Sequence, residues 1–594
     1  LTGALEFRPD SLNKLYVRGT FARRVDDEFR NLLLITSEDG AIQPGASEGR
    51  ATWNRGRFAK EFRHRIVRDT TFTLTGGGEH ELPGRLAFDY AGSYTRAKQD
   101  YPFRSQLQYR SNVRPNLSYD YTGNPNFPAL SLFQTQEHLN PANYDFRQNT
   151  FRSQDTIQEE FAFQTNFRIP GRMFGHEASF QAGARARLRD VTVDEERYRD
   201  RRGAAAPTTP LAGLLSNEEA RNFDYFLGQK FDSDLVRAYF EDIRAFSQVP
   251  ATRRIAQSVE ADYEAKEEVY AAYAMTRVEF PNSNLILGLR MEHTSFAGRA
   301  PRFNSVTETF TLENARANYT SWFPNATLRH EFNENLIGRV ALTRAIARPN
   351  YRDVVPRITE NSDSQSATID VSRGNPDLKP TLSNNIDVGL EYYFRPLGLL
   401  SAAFFYKDLE DYEFEIIRPG EFAGLPARIR EKGNARDGRI IGFEVAAQAQ
   451  FTFLPGFLSG FGVFANYAYA DAKITLPADV PNRIGSVRLP NQSRHTYNAA
   501  LFYEVDRFNA RIAFTGRSDY IDAFNEDPRF DRFWEGREQL DVTASFDLTR
   551  NINLFFEGKN LTNTPGVRYD GVRTRVYELE KFGRLYFFGA RMNF

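Results

Sequence analysis

The chain has 594 residues, 41% hydrophobic and 26% charged, with a mean hydropathy of −0.55. No stretch reaches the ~18 consecutive apolar residues that a membrane-crossing helix needs. The net charge of −1 offers no basic excess for nucleic acid, and the absence of cysteine rules out a disulfide framework. None of this excludes a membrane-spanning β-barrel. Such a wall needs apolar side chains only at every second strand position, so its average hydropathy stays low.

Alternation is the dominant pattern, and aromatic residues (14%) fall into it. Leu1, Gly3, Leu5 and Phe7 alternate with Thr2, Ala4 and Glu6, so the chain opens on a strand rather than a leader. Strands are predicted at 1–8, 14–34, 59–75, 85–98, 151–169, 177–194, 263–280, 284–298, 318–332 and 336–350. They continue at 381–395, 398–413, 436–453, 458–472, 494–505, 508–521, 538–549, 552–563 and 584–594. That makes about nineteen, with ends uncertain by ~2–4 residues. In the last one, Tyr586, Phe588, Ala590, Met592 and Phe594 share a face opposite Arg591 and Asn593.

Alternation also occurs in soluble sandwiches, so the connections carry the distinction. Tight turns are predicted at Pro9-Asp10, Gly76-Gly77-Gly78, Pro170-Gly171, Pro281-Asn282, Asn333 to Asn335, Pro396 to Gly398, Pro455-Gly456 and Asn551. Long polar excursions separate them at 99–150, 195–262, 351–380 and 564–581. Short turns at one rim and long loops at the other are the pattern of an outer-membrane barrel. The fold class is therefore all-β: a transmembrane antiparallel barrel with short periplasmic turns and long extracellular loops.

The 195–262 loop is expected to carry short helices. Ser216 to Glu219 has the form of a capping box, and Val236, Tyr239, Phe240 and Ile243 recur at helical spacing. Phe223, Tyr225, Phe226, Tyr239 and Phe240 are its candidate ligand contacts. Mutual packing of these rings is the stronger reading, since apolar stripes on helices usually bury one another. Arg18, Arg185, Arg187, Arg339, Arg511 and Arg591 fall on presumed lumen faces, where alone they would line a charged channel.

No catalytic constellation emerges. His64, His80, His176, His330 and His495 are scattered, with no H-E-x-x-H spacing for zinc and no G-x-S-x-G elbow. Acidic pairs such as Asp26-Asp27, Glu159-Glu160 and Glu267-Glu268 read as solvated barrel charge. The barrel is expected to be no enzyme and to bind no metal and no cofactor.

Three motifs carry a resemblance: Arg344 to Tyr351, then Arg373-Gly374-Asn375-Pro376-Asp377-Leu378-Lys379-Pro380, then Ser383 to Phe394. With Asn560-Leu561-Thr562-Asn563, Glu268 to Tyr273 and the terminal Phe594, the chain resembles the barrel of TonB-dependent outer-membrane receptors. Thr381 stands where that family usually has Glu. The prolines of the second motif stiffen the approach to a strand, and a structural loop is the preferred reading there.

The resemblance implies a wall of about 22 strands around a plugged lumen. The first and last strands predicted here both run toward the short-turn rim, so they cannot close as antiparallel neighbours. Either the ring closes in parallel, or a plug and three strands precede Leu1; the second is preferred. The resemblance further implies residence in the bacterial outer membrane and energised uptake of a scarce nutrient, such as a siderophore, saccharide or peptide. Its implied partners are the lipid bilayer, a plug domain (its own N-terminus or a separate chain), the TonB energy-coupling complex and the barrel assembly machinery, which reads Phe594. A small or oligomeric nutrient ligand and a surface lipoprotein complete the set. The lumen arginines would then seat the plug. The alternative is a passive porin or a structural surface barrel.

Overall fold

The computed structural model describes the chain except residues 38–39, 125, 202, 204–205, 242–254, 256–257, 260, 305–306, 308, 361–368, 395–397, 423–424, 479, 481–482, 484, 526 and 594. Phe594, Ile243, Pro396 and Leu397 lie outside the described residues, and with them the expectations placed on them.

Among the described residues nineteen strands form the wall, as many as the alternation indicates. They are β1 (Thr2–Phe7), β2 (Asn13–Thr36), β3 (Arg57–Leu82), β4 (Leu86–Ser111), β5 (Tyr144–Met173), β6 (His176–Asp200), β7 (Tyr263–Phe280), β8 (Ser283–Asn304), β9 (Thr309–Glu331) and β10 (Leu336–Ala347). The series continues with β11 (Thr381–Phe394), β12 (Gly398–Glu410), β13 (Asp437–Gln450), β14 (Phe461–Thr475), β15 (His495–Val505), β16 (Phe508–Arg517), β17 (Arg537–Thr549), β18 (Ile552–Lys559) and β19 (Leu585–Met592). Each pairs antiparallel with its neighbours in sequence; a three-residue segment, Ser486–Arg488, extends the sheet beside β14.

Direct cross-strand partners share a face, which locates the lipid band. On β3, Phe72 and Leu74 lie opposite Arg96 and Tyr94 of β4, and Tyr94 lies opposite Phe161 of β5. Phe161, Phe163, Phe167 and Ile169 are exposed apolar side chains on that face, as are Ile386, Val388, Leu390 and Tyr392 of β11. One step toward the loops the same face turns polar. Arg96 pairs with Glu159 at 3.7 Å, Lys98 with Asp155 at 3.1 Å, and Tyr94 donates to Glu159 at 2.6 Å. The lipid band therefore ends at Tyr94 and Phe161.

β3 has 26 residues. At ~3.3 Å per residue and a tilt of ~40°, such a strand rises roughly 65 Å against an apolar band of ~25 Å. The upper wall thus projects well beyond the membrane. Its outward face there is covered by loop. Phe62, Leu107, Phe103 and Phe151 form a buried cluster with Leu132, Leu211, Val236 and Phe240.

Three sequence expectations are corrected. Gly76, Gly77 and Gly78 lie inside β3, and the turn falls at residues 83–85. A Cβ on Gly77 would sit 2.7 Å from the Tyr16 ring, and one on Gly78 would sit 2.8 Å from the Tyr90 hydroxyl. The glycines make room for rings lying across the strand. Pro170-Gly171 likewise lies within β5. The hairpin turns at Phe174 and Gly175, both at positive φ (52° and 81°), which a two-residue primed turn requires.

The third correction concerns Ser216 to Glu219, which form no helix start. They belong to a hairpin of Leu215–Asn222 with Tyr225–Phe231. The helix begins later, at Ser233–Glu241, where the Asp232 carboxylate accepts from the amides of Asp234 (3.0 Å) and Leu235 (3.1 Å). Asp232 therefore does the capping expected of Ser216.

Among the described residues β1 pairs only with β2 and β19 only with β18, so the parallel closure is not formed. The sheet nevertheless curls round. Arg575, in the loop before β19, is ion-paired with Glu48, and Arg573 donates to Asn126; both partners lie in loops of the opening strands.

Candidate ligand cavity and lumen

Alternation that turns apolar residues to the lipid turns their neighbours inward. Above the band, the inward positions of β2 to β6 include Arg30, Arg63, Arg65, Arg104, Arg152, Glu195 and Arg197. These line a cavity of about 540 Å³ at the extracellular level of the lumen, a volume that suits a small ligand. At this height one extra residue of β4 shifts its register against both neighbours, between Ile66 and Arg68 of β3 on one side and between Tyr101 and Arg104 toward β5 on the other. Pro102, which has no amide proton for the ladder, sits in it. Such bulges re-aim wall side chains.

The loop after β10 completes the cavity with Arg352, Arg357 and Thr359. A short helix, Tyr351–Val354, anchors it. The Tyr351 ring stacks on Phe296 with centroids 5.8 Å apart, and its hydroxyl donates to Glu267 at 3.2 Å while accepting from Arg189 at 3.3 Å. Burial pushes the Tyr351 hydroxyl up to about 12, so it stays a donor at neutral pH.

The second resemblance motif holds this loop from behind. Gly374 donates its amide to the Arg357 carbonyl (3.0 Å) and Asn375 donates to the Asp353 carbonyl (2.7 Å). A Cβ on Gly374 would stand 1.8 Å from the Val355 carbonyl oxygen, so only glycine allows the approach. The Asn375 side chain donates to the Lys432 carbonyl (2.9 Å), and Lys379 donates its amide to the Asn434 side chain (2.9 Å). The motif is a brace that positions Arg352 and Arg357.

Eight arginines line the cavity against two glutamates, Glu28 and Glu195. Some of this charge is met locally. Arg30 pairs with Glu28 at 2.5 Å, Arg63 with Glu61 at 2.5 Å, Arg65 with Glu28 and Asp26, and Arg352 with Asp353 at 3.5 Å. The exposed Arg104 side chain makes no hydrogen bond or ion pair among the described residues. Arg357 donates only to the Arg352 carbonyl (3.1 Å). Burial, and then the Arg352 charge, lower the Arg357 guanidinium pKa from its ordinary value. Asp353 and Glu195 act on Arg357 in the opposite sense, which leaves Arg104 as the lining arginine without a side-chain partner among the described residues.

The aromatic candidates lie elsewhere, on the loop covering the outward face. Phe223 is at the hairpin tip, 4.7 Å from Phe127 and 5.9 Å from the Lys581 ammonium. Tyr225 donates to the Pro128 carbonyl at 2.6 Å and stacks on Phe133; Phe226 lies under Arg221. Tyr239 is hydrogen-bonded to Asn149, and Phe240 is 1% exposed among Phe103 and Tyr239.

The six lumen arginines do share the inward face, below the cavity. Arg187 pairs with Glu267 (3.0 Å), Arg339 with Glu391 (2.8 Å) and Arg18 with Glu6 (3.5 Å), while Arg511 lies 5.5 Å from the Phe464 ring centre. Arg185 and Arg591 are exposed on that face. The cavity arginines were not singled out from sequence. Their signal was present in Arg63-His64-Arg65, a polar alternation inside a predicted strand, but Arg104 fell in a stretch read as loop.

The family model described as "TonB dependent receptor-like, beta-barrel" matches residues 12–561. The chain belongs to that family. The receptor is accordingly an outer-membrane β-barrel. Among solved structures it is similar to the siderophore receptor PirA from Acinetobacter baumannii, with a TM-score of 0.48 and 11% identity over 96% of this chain and 80% of that one. It is also similar to the ferric-catecholate import receptor Fiu from K12 E. coli, with a TM-score of 0.49 and 12% identity over 100% and 81%. No curated protein matches the sequence.

Proposed function

We propose that this receptor is the wall of an energy-coupled importer that captures a scarce nutrient in its extracellular cavity and passes it through a plugged lumen. The observation that carries the reading is the cavity itself, walled by inward strand positions and closed by a braced loop. Family membership supports energisation through the TonB complex.

Among the described residues β1 and β19 are each paired on one side only. In lipid each unpaired backbone group costs several kcal/mol, which favours further strands between these edges. The inward arginines below the cavity suit a plug surface, where desolvated pairs would fix its seat. Phe223 at the hairpin tip would serve as an outer contact surface, with Tyr239 and Phe240 packed beneath it. The reading assigns the barrel no bond-breaking step: it supplies a rigid wall and an affinity site.

The test is nutrient-limited growth and uptake in a strain lacking the receptor, complemented with it, with and without a working inner-membrane energy-coupling complex. Uptake that requires both supports the proposal. Uptake that survives loss of the coupling complex, or a large steady conductance of the complete protein in planar bilayers, overturns it in favour of a passive pore.

A further inference from the structure

We infer that the cavity selects a compact ligand carrying two or more oxyanion groups, carboxylates or phosphates, and that Arg104 and Arg357 are its charge-reading residues. The inference rests on the capture reading above and adds the chemistry of what is captured.

Charge arithmetic favours an anion. The lining itself carries eight arginines and two glutamates, and the carboxylates of Glu61, Asp26 and Asp353 behind it are taken up by Arg63, Arg65 and Arg352. A partly dehydrated guanidinium without a carboxylate partner is costly unless a counter-ion arrives. Arg357 is half-buried and donates only to a backbone carbonyl, with the Asp353 and Glu195 charges acting on it; Arg104 is exposed to the cavity, and its side chain has no partner among the described residues. Arg30, Arg63 and Arg65 are already occupied by wall carboxylates and act as a frame.

The lining also argues against a neutral ligand held by stacking. Apart from His64, Tyr263 is the one aromatic ring among the lining residues. Arginine forks match planar carboxylates and tetrahedral phosphates through paired N–H donors. Arg104 stands on the strand wall and Arg357 on the braced loop, so a ligand reaching both must present anionic groups at two ends. A ligand bridging wall and loop would also hold the loop closed over the cavity.

The test uses the purified full-length receptor in detergent and isothermal titration at low salt with three probes: citrate, tripolyphosphate and neutral maltotriose. Binding of citrate or tripolyphosphate, with affinity falling as salt rises, is expected, and the stronger of the two tells carboxylate from phosphate recognition. Arg104→Gln and Arg357→Gln should each weaken the bound anion about tenfold or more. Arg104→Lys should recover part of the loss, and Arg302→Gln, outside the cavity, should change nothing.

Preferential binding of maltotriose, no anion binding below about 1 mM (a free energy near −4 kcal/mol), or variants that bind as the wild type does, would each overturn the inference. These measurements need no energy coupling. Failure of the import reading would appear instead as anion binding intact in detergent with uptake indifferent to the coupling complex.

Discussion

Replacing Gly374 by Ala tests whether the brace positions the cavity arginines. The new methyl would sit 1.8 Å from the Val355 carbonyl oxygen. The nearest ordinary contact is ~3.3 Å, so the strands of loop must part by roughly 1.5 Å. That motion breaks the hydrogen bonds from Gly374 to Arg357 and from Asn375 to Asp353. At ~1 kcal/mol each, their loss costs about 2 kcal/mol and raises the open population of the segment roughly thirtyfold. The barrel strands are untouched, so global unfolding should be unchanged. Amide exchange read by mass spectrometry should show faster exchange for peptides covering 351–358 and 374–378, with anion affinity reduced in parallel. Unchanged exchange there, with unchanged affinity, would refute the brace.

Elsewhere in the loops, Arg483 (side chain 5% exposed) and Asp531 (9%) form a buried pair, with Arg483 also donating to the Asn525 carbonyl at 2.8 Å. Asp531→Ala should cost about 3–5 kcal/mol locally by orphaning the guanidinium, whereas the double change Arg483→Met with Asp531→Leu should recover most of it; limited proteolysis of 518–536 reads the difference, and equal nicking of both would contradict this. Asp262 is raised to about 6 by burial and by the charges of Asp194, Glu195 and Glu196. Because its folded value lies above the ordinary 3.8, folding favours the protonated form, so this segment is most stable at low pH and loosens as pH rises through 6. The protection factor of the Glu195 amide, which donates to Asp262 at 2.7 Å, should be higher at pH 5 than at pH 7.5. Asp262→Asn should flatten that dependence, and a protection factor independent of pH in the unaltered protein would count against it. Phe240→Ala should remove about 3–5 kcal/mol of packing from the outer cover, exposing Arg237 to trypsin while heat resistance of the wall persists; a cover that stays resistant would show that the cluster does not hold it.

Much of the wall was legible along the chain because its determinants are local. A strand in lipid must alternate, so Phe161, Phe163 and Phe167 announce a face without knowledge of their neighbours. The Asn551 turn and the hairpins at Pro281 and Asn333 were equally readable from their residue types. Gly77 and Gly171 misled for a physical reason: glycine also serves where an aromatic ring crosses a strand, and the ring belongs to the paired strand, Tyr16 for Gly77 and Phe180 for Gly171. Ser216 misled because a capping pattern competes with a hairpin in which its neighbour Leu215 pairs with Phe231, sixteen residues on.

Alternation, together with short turns at one rim and long loops at the other, determined that this chain is a membrane β-barrel, and its motifs carried the family resemblance. Which inward arginines face one another did not follow from them. Arg63, Arg104, Arg152 and Arg357 are separated by stretches of chain from about forty to two hundred residues, and only strand register, the β4 bulge and the Gly374 brace bring them to one cavity. Pairing decided the rest as well: Arg63 and Arg65 have wall carboxylates while Arg104 does not, and that difference, invisible in composition, gives the cavity its unmet positive charge.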